Sequence, residues 1–469
     1  CQPDWFAMTV VADLILRNVR PYGAAMCDVA IKGGHILALG PNLSVSGPEI
    51  VCDGRDLIPG LHDHHLHLFA TAARKVTVDL ASCESMDAVC AALRQHAARL
   101  AEGVWLRATG LIEPDTEIPD RHMLDQWIND RPIRVQDRTG ALWLLNSRAI
   151  DAIGPGPWPD CVERDASGRP TGRIWRGDVW LRSTLASPPP SLHHLSRELA
   201  AFGITSVTDA GASNGAAEVD LFEAAVQSGE LLQKLTLMGR EDLPLSPDLE
   251  RGPLKLLYDE SALPDVAEVA ARIVNARQHN RAAAAHCVTL GELLFFLAAL
   301  DAAGGARPGD RIEHGSVIPQ SLLADIARSG LTIVSQPGFV RTRGDRYLAT
   351  IEPDDLPDLY RLRSISDAGI NVLAGSDAPY GSIDPWEAIL AATNRTTESG
   401  AIIGKQEAIS LRQALGLYGA DRGIQPGQAA DLCLLGTPLS VLAEGWAGNP
   451  VAMTIIGGAP FIATLDRFL

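Results

Sequence analysis

Pro59-Gly60-Leu61-His62-Asp63-His64-His65-Leu66-His67-Leu68 sets four of the chain's 12 histidines within six residues, behind a short apolar run that ends in Pro-Gly. His65 and His67 stand at i and i+2, so on the end of an extended strand both imidazoles point to one side and can meet one cation. Neutral imidazole is the commonest ligand for Zn²⁺ and its neighbours in the transition series. Asp63 and His64 are left to support such a site from outside or to face solvent. The alternative is a histidine-rich polar turn, and the residues further along the chain weigh against it.

Outward from this stretch, the middle of the chain alternates buried-looking strands with amphipathic runs. The strands are expected at Ile204 to Thr208, Leu235 to Met238, Leu254 to Leu257, Ala282 to Ala285, Arg311 to Glu313, Leu331 to Ser335 and Asn371 to Ala374. Between them, Asp265 to Gln278, Gly291 to Ala302 and Ser321 to Arg328 carry apolar residues at helical spacing. With the strand before His65 this makes eight, and a (β/α)₈ TIM-like barrel over residues 59–419 is the natural closure. Both chain ends read differently, as short apolar runs broken by glycine: Asp28 to Gly40 near the start, and Asp431 to Leu435 and Met453 to Gly458 near the end. They are expected to form one small β-sandwich domain from residues 8–58 plus 420–469.

His67 and Ile204 are 137 residues apart, far beyond an ordinary crossover. An insertion after barrel strand 1, at about 70–200, must account for it. It holds a helical run from Met86 to Leu100, strand-like Val104 to Ala108 and Arg134 to Asp137, and the aromatic segment Leu142-Trp143-Leu144-Leu145. Such excursions commonly shape a substrate pocket. Pro188-Pro189-Pro190 reads as a short stiff linker. Cys1 to Ala7 precede Met8, read as an upstream extension or remnant, and are set aside.

A chain of 469 residues with 46% hydrophobic content can bury a large core. The formal charge of −17 argues against nucleic acid or an anionic membrane as partner, since either needs clustered Lys and Arg. No 18-residue apolar stretch suggests a membrane span. The eight cysteines form no CxxC pair and lack the density of a disulfide scaffold, so a cytoplasmic location is expected.

The expected strand ends deliver, in order, His65 and His67, Lys255, His286, His314 and Asp377. Lys255 interrupts the otherwise apolar Leu254-Lys255-Leu256-Leu257, where a lysine is costly unless paired, modified or snorkelling to solvent. His286 and His314 taken singly could be core histidines, and Asp377 a helix cap ahead of Pro379. Six such residues at successive strand ends are hard to reconcile with coincidence.

Taken with Pro59-Gly60-x-x-Asp63-x-His65-x-His67, Arg311-Ile312-Glu313-His314, Gly375-Ser376-Asp377-Ala378-Pro379 and Pro426-Gly427-x-x-Ala430-Asp431-Leu432, the sequence resembles the amidohydrolase superfamily of metal-dependent hydrolases. Asn146-Ser147 and Arg164-Asp165-Ala166-Ser167-Gly168-Arg169-Pro170-Thr171-Gly172 make it similar to the N-substituted formamide deformylase-like branch, amidohydrolase family 3. The resemblance implies that His65, His67 and Asp377 hold the more buried of two metals, His286 and His314 the second, and a CO₂-carboxylated Lys255 bridges them. Without that modification, one metal is implied. Zinc is the expected ion, with Mn²⁺, Fe²⁺ or Co²⁺ as alternatives. Two departures stand out: many relatives carry an acid where this chain has Leu290, and a histidine in the insertion where it reads Asp137 to Trp143. Support of the fifth-strand histidine must therefore differ, and substrate contacts in the insertion cannot be inherited.

The chemistry such a set serves is hydrolysis of a carbon–nitrogen bond in an amide, formamide, carbamate or cyclic amide, by hydroxide that the metal makes available at neutral pH. Asp377 is the expected base, passing the proton of the attacking water to the leaving amine. A one-metal deaminase of an aminated heterocycle is the first alternative, against which position 289 is threonine where the superfamily's deaminases carry glutamate. A non-catalytic scaffold relative is the second. Arg138 and Trp143 in the insertion, with Gln336, Arg341 and Arg343 after the seventh strand, are candidate pocket residues. The expected partner is a small-molecule substrate, and the resemblance allows a homodimer.

Overall fold

The computed structural model describes residues 11–112, 118–185 and 189–462, so that residues 1–7 and Pro188 lie outside the described set. Eight strands succeed one another in a single sheet: Leu61–Leu66, Ile204–Asp209, Lys234–Gly239, Glu250–Leu256, Ala283–Cys287, Arg311–His314, Thr332–Ser335 and Asn371–Ala374. Every neighbouring pair is parallel. Strands covered on both faces must be apolar almost throughout, and Ala283, Ala284 and Ala285 are fully buried. The first and eighth strands are joined just past their ends: the Asp377 N–H donates to the His65 carbonyl (2.7 Å) and the His67 N–H to that of Ala378 (2.8 Å). Gly375 permits this approach, because a Cβ there would stand 2.5 Å from the His65 nitrogen. The result is an α/β TIM-like barrel.

Two elements of the barrel differ from expectation. The fourth strand begins at Glu250 rather than Leu254, because polar side chains do not interrupt a backbone ladder when they find partners. Thr236 donates to the Glu250 carboxylate (3.0 Å) and Arg251 to the His279 carbonyl (2.7 Å). The run from Ser321 splits into a 3₁₀ turn, Gln320–Leu322, and a helix, Leu323–Ser329, that ends on left-handed Gly330.

Strands from both chain ends join a second eight-stranded sheet in which Leu432–Leu435 pairs antiparallel with Asp56–Pro59. Leu16, Val29, Ile31, Leu57, Leu432 and Ile455 are fully or almost fully buried in its core.

Residues Phe69–Ser191 form a separate compact unit around a six-stranded mixed sheet. Its strand Leu142–Leu145 is buried on both faces, Leu142 and Leu144 entering one apolar cluster and Trp143 and Leu145 another. Buried Asn146 accepts from the Ile133 and Ala149 N–H groups and donates to the Ile128 and Arg131 carbonyls, capping the helix Ser147–Ile153. Asp165 ties the turn between Val162–Arg164 and Pro170–Trp175 by accepting from Ser167 and Arg169. These two motifs of the insertion thus serve its local architecture. Among the described residues no helix is long and apolar enough to cross a membrane.

Candidate metal centre

One cavity of about 430 Å³ is lined by His65, His67, Lys255, His286, His314 and Asp377 together. The first, fourth, fifth and sixth strands and the loop after the eighth deliver them, at the end of the barrel where such sites are built. The nearest ligating atoms of His65, His67 and Asp377 lie within 4.8 Å of one another. Each histidine's Nε2 is 3.5 Å from Asp377 Oδ1. Two tetrahedral ligands at about 2.0–2.1 Å from a zinc ion would stand roughly 3.3 Å apart, so the spacing suits atoms arranged around a cation.

The orientation of each ring has an identifiable cause. His65 Nδ1 meets the Glu313 carboxylate, which can only accept, so that nitrogen carries the proton and Nε2 keeps its lone pair. Burial alone would raise the Glu313 pKa, but the Arg311 guanidinium and the His65 hydrogen bond hold it well below the usual carboxylate range. Arg311 clamps both Glu313 oxygens, at 2.7 and 3.1 Å, and also donates to the His64 carbonyl at 2.9 Å. Such a fully buried acid is sustained by paired, geometrically forked partners.

On the same strand, alternation alone would send Glu313 and His314 to opposite faces. His314 instead has φ of +70°, and its ring lies 4.8 Å from that of His65 and 4.5 Å from that of His286. The left-handed backbone turns adjacent residues toward one site. Its Nδ1 donates to Gln336 Oε1 (2.9 Å), while the Gln336 amide nitrogen donates to the Val334 carbonyl and fixes which end of the side chain faces the ring. Asp377 is also left-handed, with φ of +52°. Such strain costs about 1–3 kcal/mol per residue and concentrates at functional sites.

Burial pushes the His65 pKa down to about 3 and that of His314 well below its ordinary value, so both rings are neutral. Lys255 is 4% exposed, and its Nζ finds no hydrogen-bond partner among the described residues. Burial lowers its pKa too. Neutral imidazoles, a carboxylate within ligand spacing and an orphaned amine beside them form a donor set that fits a divalent cation such as zinc.

The remaining candidates are distributed differently. Gln336 is buried behind His314 rather than in the cavity wall expected of it. Arg341 is not among the lining residues, whereas Arg343, two positions on, is. Trp143 is 5% exposed within the core of its own unit, with the Arg107 and Arg134 guanidinium groups 5.6 and 5.7 Å from its ring. Arg138 is exposed on the turn after Ile133–Asp137. Asp63 is buried and accepts from the His65 and Ser376 N–H groups, fastening the first strand to the loop after the eighth. The part of Glu313 is not among the sequence expectations, although an acid flanked by apolar Ile312 and two residues from Arg311 carries the signal of a buried pair. The hydroxyls of Ser316, Tyr347, Tyr360 and Tyr380 in the cavity wall are also absent from those expectations.

A second cavity, of about 540 Å³, is lined by His62 and His64. It is the larger, yet metal-type donor spacing occurs in the first, and chemistry rather than volume identifies the site.

A model of the amidohydrolase family (Amidohydro_3) matches residues 49–462. An N-substituted formamide deformylase of Arthrobacter pascens is 25% identical, the alignment covering 91% of this chain and 94% of the relative. Among solved structures, an uncharacterized metal-dependent hydrolase from Pyrococcus horikoshii has a TM-score of 0.75 at 18% identity, covering 93% of this chain and 99% of its own. Another from Pyrococcus furiosus has a TM-score of 0.73 at 20% identity, covering 90% and 99%. At these identities the structural likeness speaks to the fold.

Proposed function

The chain belongs to the amidohydrolase family of hydrolytic enzymes, and from that premise we propose that it cleaves the C–N bond of a small formamide, acyl amide, carbamate or cyclic amide at the His65–His67–Asp377 centre. The observation that carries the reading is the convergence of these three groups, with Lys255, His286 and His314, on one cavity. The Arthrobacter relative is named for an amide of this class.

His65, His67 and Asp377 would hold one divalent cation, and His286 and His314 a second, with Lys255 between them once carboxylated. A bound cation supplies Lewis acidity and lowers the pKa of water from 15.7 to about 7. The lysine is suited to its part because burial favours the neutral amine, the form that reacts with CO₂ and that does not repel a cation. Glu313 keeps the proton on His65 Nδ1, and Gln336 does the same for His314, so both rings present Nε2. Asp377 Oδ1 would take a proton from the attacking water and return it to the leaving nitrogen, a role worth about 10²–10⁴-fold.

Against deamination stands the part played by Thr289. Its hydroxyl accepts from the Glu292 N–H (3.1 Å), while the Glu292 carboxylate accepts from the Val288 and Thr289 N–H groups, a capping box that starts the helix Leu290–Ala302. The position where a deaminase keeps a proton shuttle is a helix cap here. Leu290, where relatives carry an acid, is 37% exposed on the first turn. A panel of N-formyl and N-acyl amines, carbamates and cyclic amides, scored for released amine beside aminated heterocycles scored for ammonia, tests the reading. Amine release that Asp377→Asn reduces by two or more orders of magnitude is expected; ammonia release alone would overturn it.

A further inference from the structure

The helix Gly338–Thr350 turns Phe339, Arg343 and Tyr347 toward the cavity, a stripe at i, i+4 and i+8 on one helix face. The Arg343 guanidinium lies 3.6 Å from the centre of the Phe339 ring and donates one bond, to the Tyr380 carbonyl at 2.9 Å. Among the described residues no carboxylate stands within ion-pair distance of it. Four of its five N–H groups therefore make no hydrogen bond to a described residue. Among the described lining residues it is, apart from Lys255, the cation, and Asp377 is the acid.

Beside it runs a chain of hydroxyls. Ser316 donates to Tyr360 (3.3 Å), and Tyr360 and Tyr347 share a bond of 3.2 Å. Three hydroxyls bring three hydrogens to two bonds. With the Ser316 hydrogen spent on Tyr360, one phenolic O–H remains on Tyr347 or Tyr360 whichever way the second bond runs, and both phenols line the cavity. Arg343 is close enough to the Tyr360 phenol to act against its burial-raised pKa.

This corner is built rather than incidental. Tyr360 has φ of +47°, and its carbonyl accepts from Arg395 at 2.9 Å. Arg395 is fully buried and spends its other nitrogens on the Leu359 and Ile403 carbonyls. A buried cation that grips three backbone carbonyls fixes the segment carrying the phenol, as a preorganised binding site requires. Leu257, Val288, Ile351 and Leu359 add apolar surface to the wall.

We propose that the substrate carries a carboxylate at the end of an apolar or aromatic moiety, bound in a fork by Arg343 and completed by the spare phenolic O–H, while its amide faces the metal-side residues. One planar guanidinium with one hydroxyl matches a planar monoanion, whereas a phosphate dianion would call for a second cation. The proposal rests on the hydrolase reading, and its test separates the two.

Binding to the full chain is measured by calorimetry with N-acetylphenylalaninate and, as its neutral counterpart, N-acetylphenethylamine. Wild type, Arg343→Ala and the double variant Tyr347→Phe with Tyr360→Phe are compared, with thermal melts to show that each variant is folded. The acid should bind tenfold or more tighter than the neutral amide, and Arg343→Ala should collapse that ratio toward one. The double variant, which leaves no phenolic O–H in this chain of hydroxyls, should reduce it severalfold. Equal binding of the two probes, a ratio that survives Arg343→Ala, or no binding of the acid overturns the inference. Turnover of neutral amides with no preference for acids would sink the carboxylate subsite and leave the hydrolase standing, and loss of all amide turnover would do the reverse if the binding preference persisted.

Discussion

His62 and His64 stack on each other with ring centres 3.9 Å apart and 25° between planes, whereas His65 and His67, on the same stretch of chain, stand edge to face at 5.6 Å. The first pair lines one cavity and the second pair another. His62 finds Thr208 at 2.9 Å, and His64 Nε2 is buried without a hydrogen-bond partner among the described residues. The second pair shares Asp377, and Glu313 dictates the tautomer of His65. Burial makes His62, His64 and His65 alike neutral. Residue type and pKa therefore do not distinguish a ligand from a packing histidine. A carboxylate on the far nitrogen and a second one within ligand spacing do.

Substitutions in the two pairs and their partners test that contrast. His65→Ala should abolish turnover while the chain still melts cooperatively; retained activity in the assay for released amine would remove His65 from the site. Asp377→Asn should lower kcat by about 10²–10⁴-fold with the fold intact. A loss of tenfold or less would show that Asp377 is not the base. Glu313→Gln can no longer enforce the His65 tautomer and should weaken metal binding by about 10–100-fold, read by competition with a chelator. Unchanged affinity would mean that Glu313 only balances Arg311. His64→Ala should cost about 1–2 kcal/mol of stability through lost packing and leave kcat within roughly threefold. A collapse of activity there would erase the distinction between the pairs.

The barrel was legible because buried parallel strands write themselves as short apolar runs, and because the ligands close those runs one after another. Ala282 to Ala285 ahead of His286 is the plainest instance. The sequence could not reveal the partnership of His65 with Glu313, 248 residues away, nor that of His314 with Gln336, since both follow from closure of the barrel. The left-handed backbone at His314 was equally hidden, because it reverses a local alternation that the sequence pattern obeys. Choosing between Arg341 and Arg343 required the phase of a helix whose cavity-facing stripe, Phe339, Arg343 and Tyr347, could have been counted from spacing alone. Trp143 is a pocket candidate only as an aromatic residue of the insertion, and Leu142-Trp143-Leu144-Leu145 is instead a strand buried on both faces.

The most direct test is metal stoichiometry by elemental mass spectrometry, on protein purified without chelator or affinity metal, with Lys255→Ala and His64→Ala alongside. Close to two divalent ions per chain are expected, with one or none in Lys255→Ala and the wild-type content in His64→Ala. A wild-type chain free of metal, or a content that Lys255→Ala leaves unchanged, would contradict a metal centre bridged by Lys255.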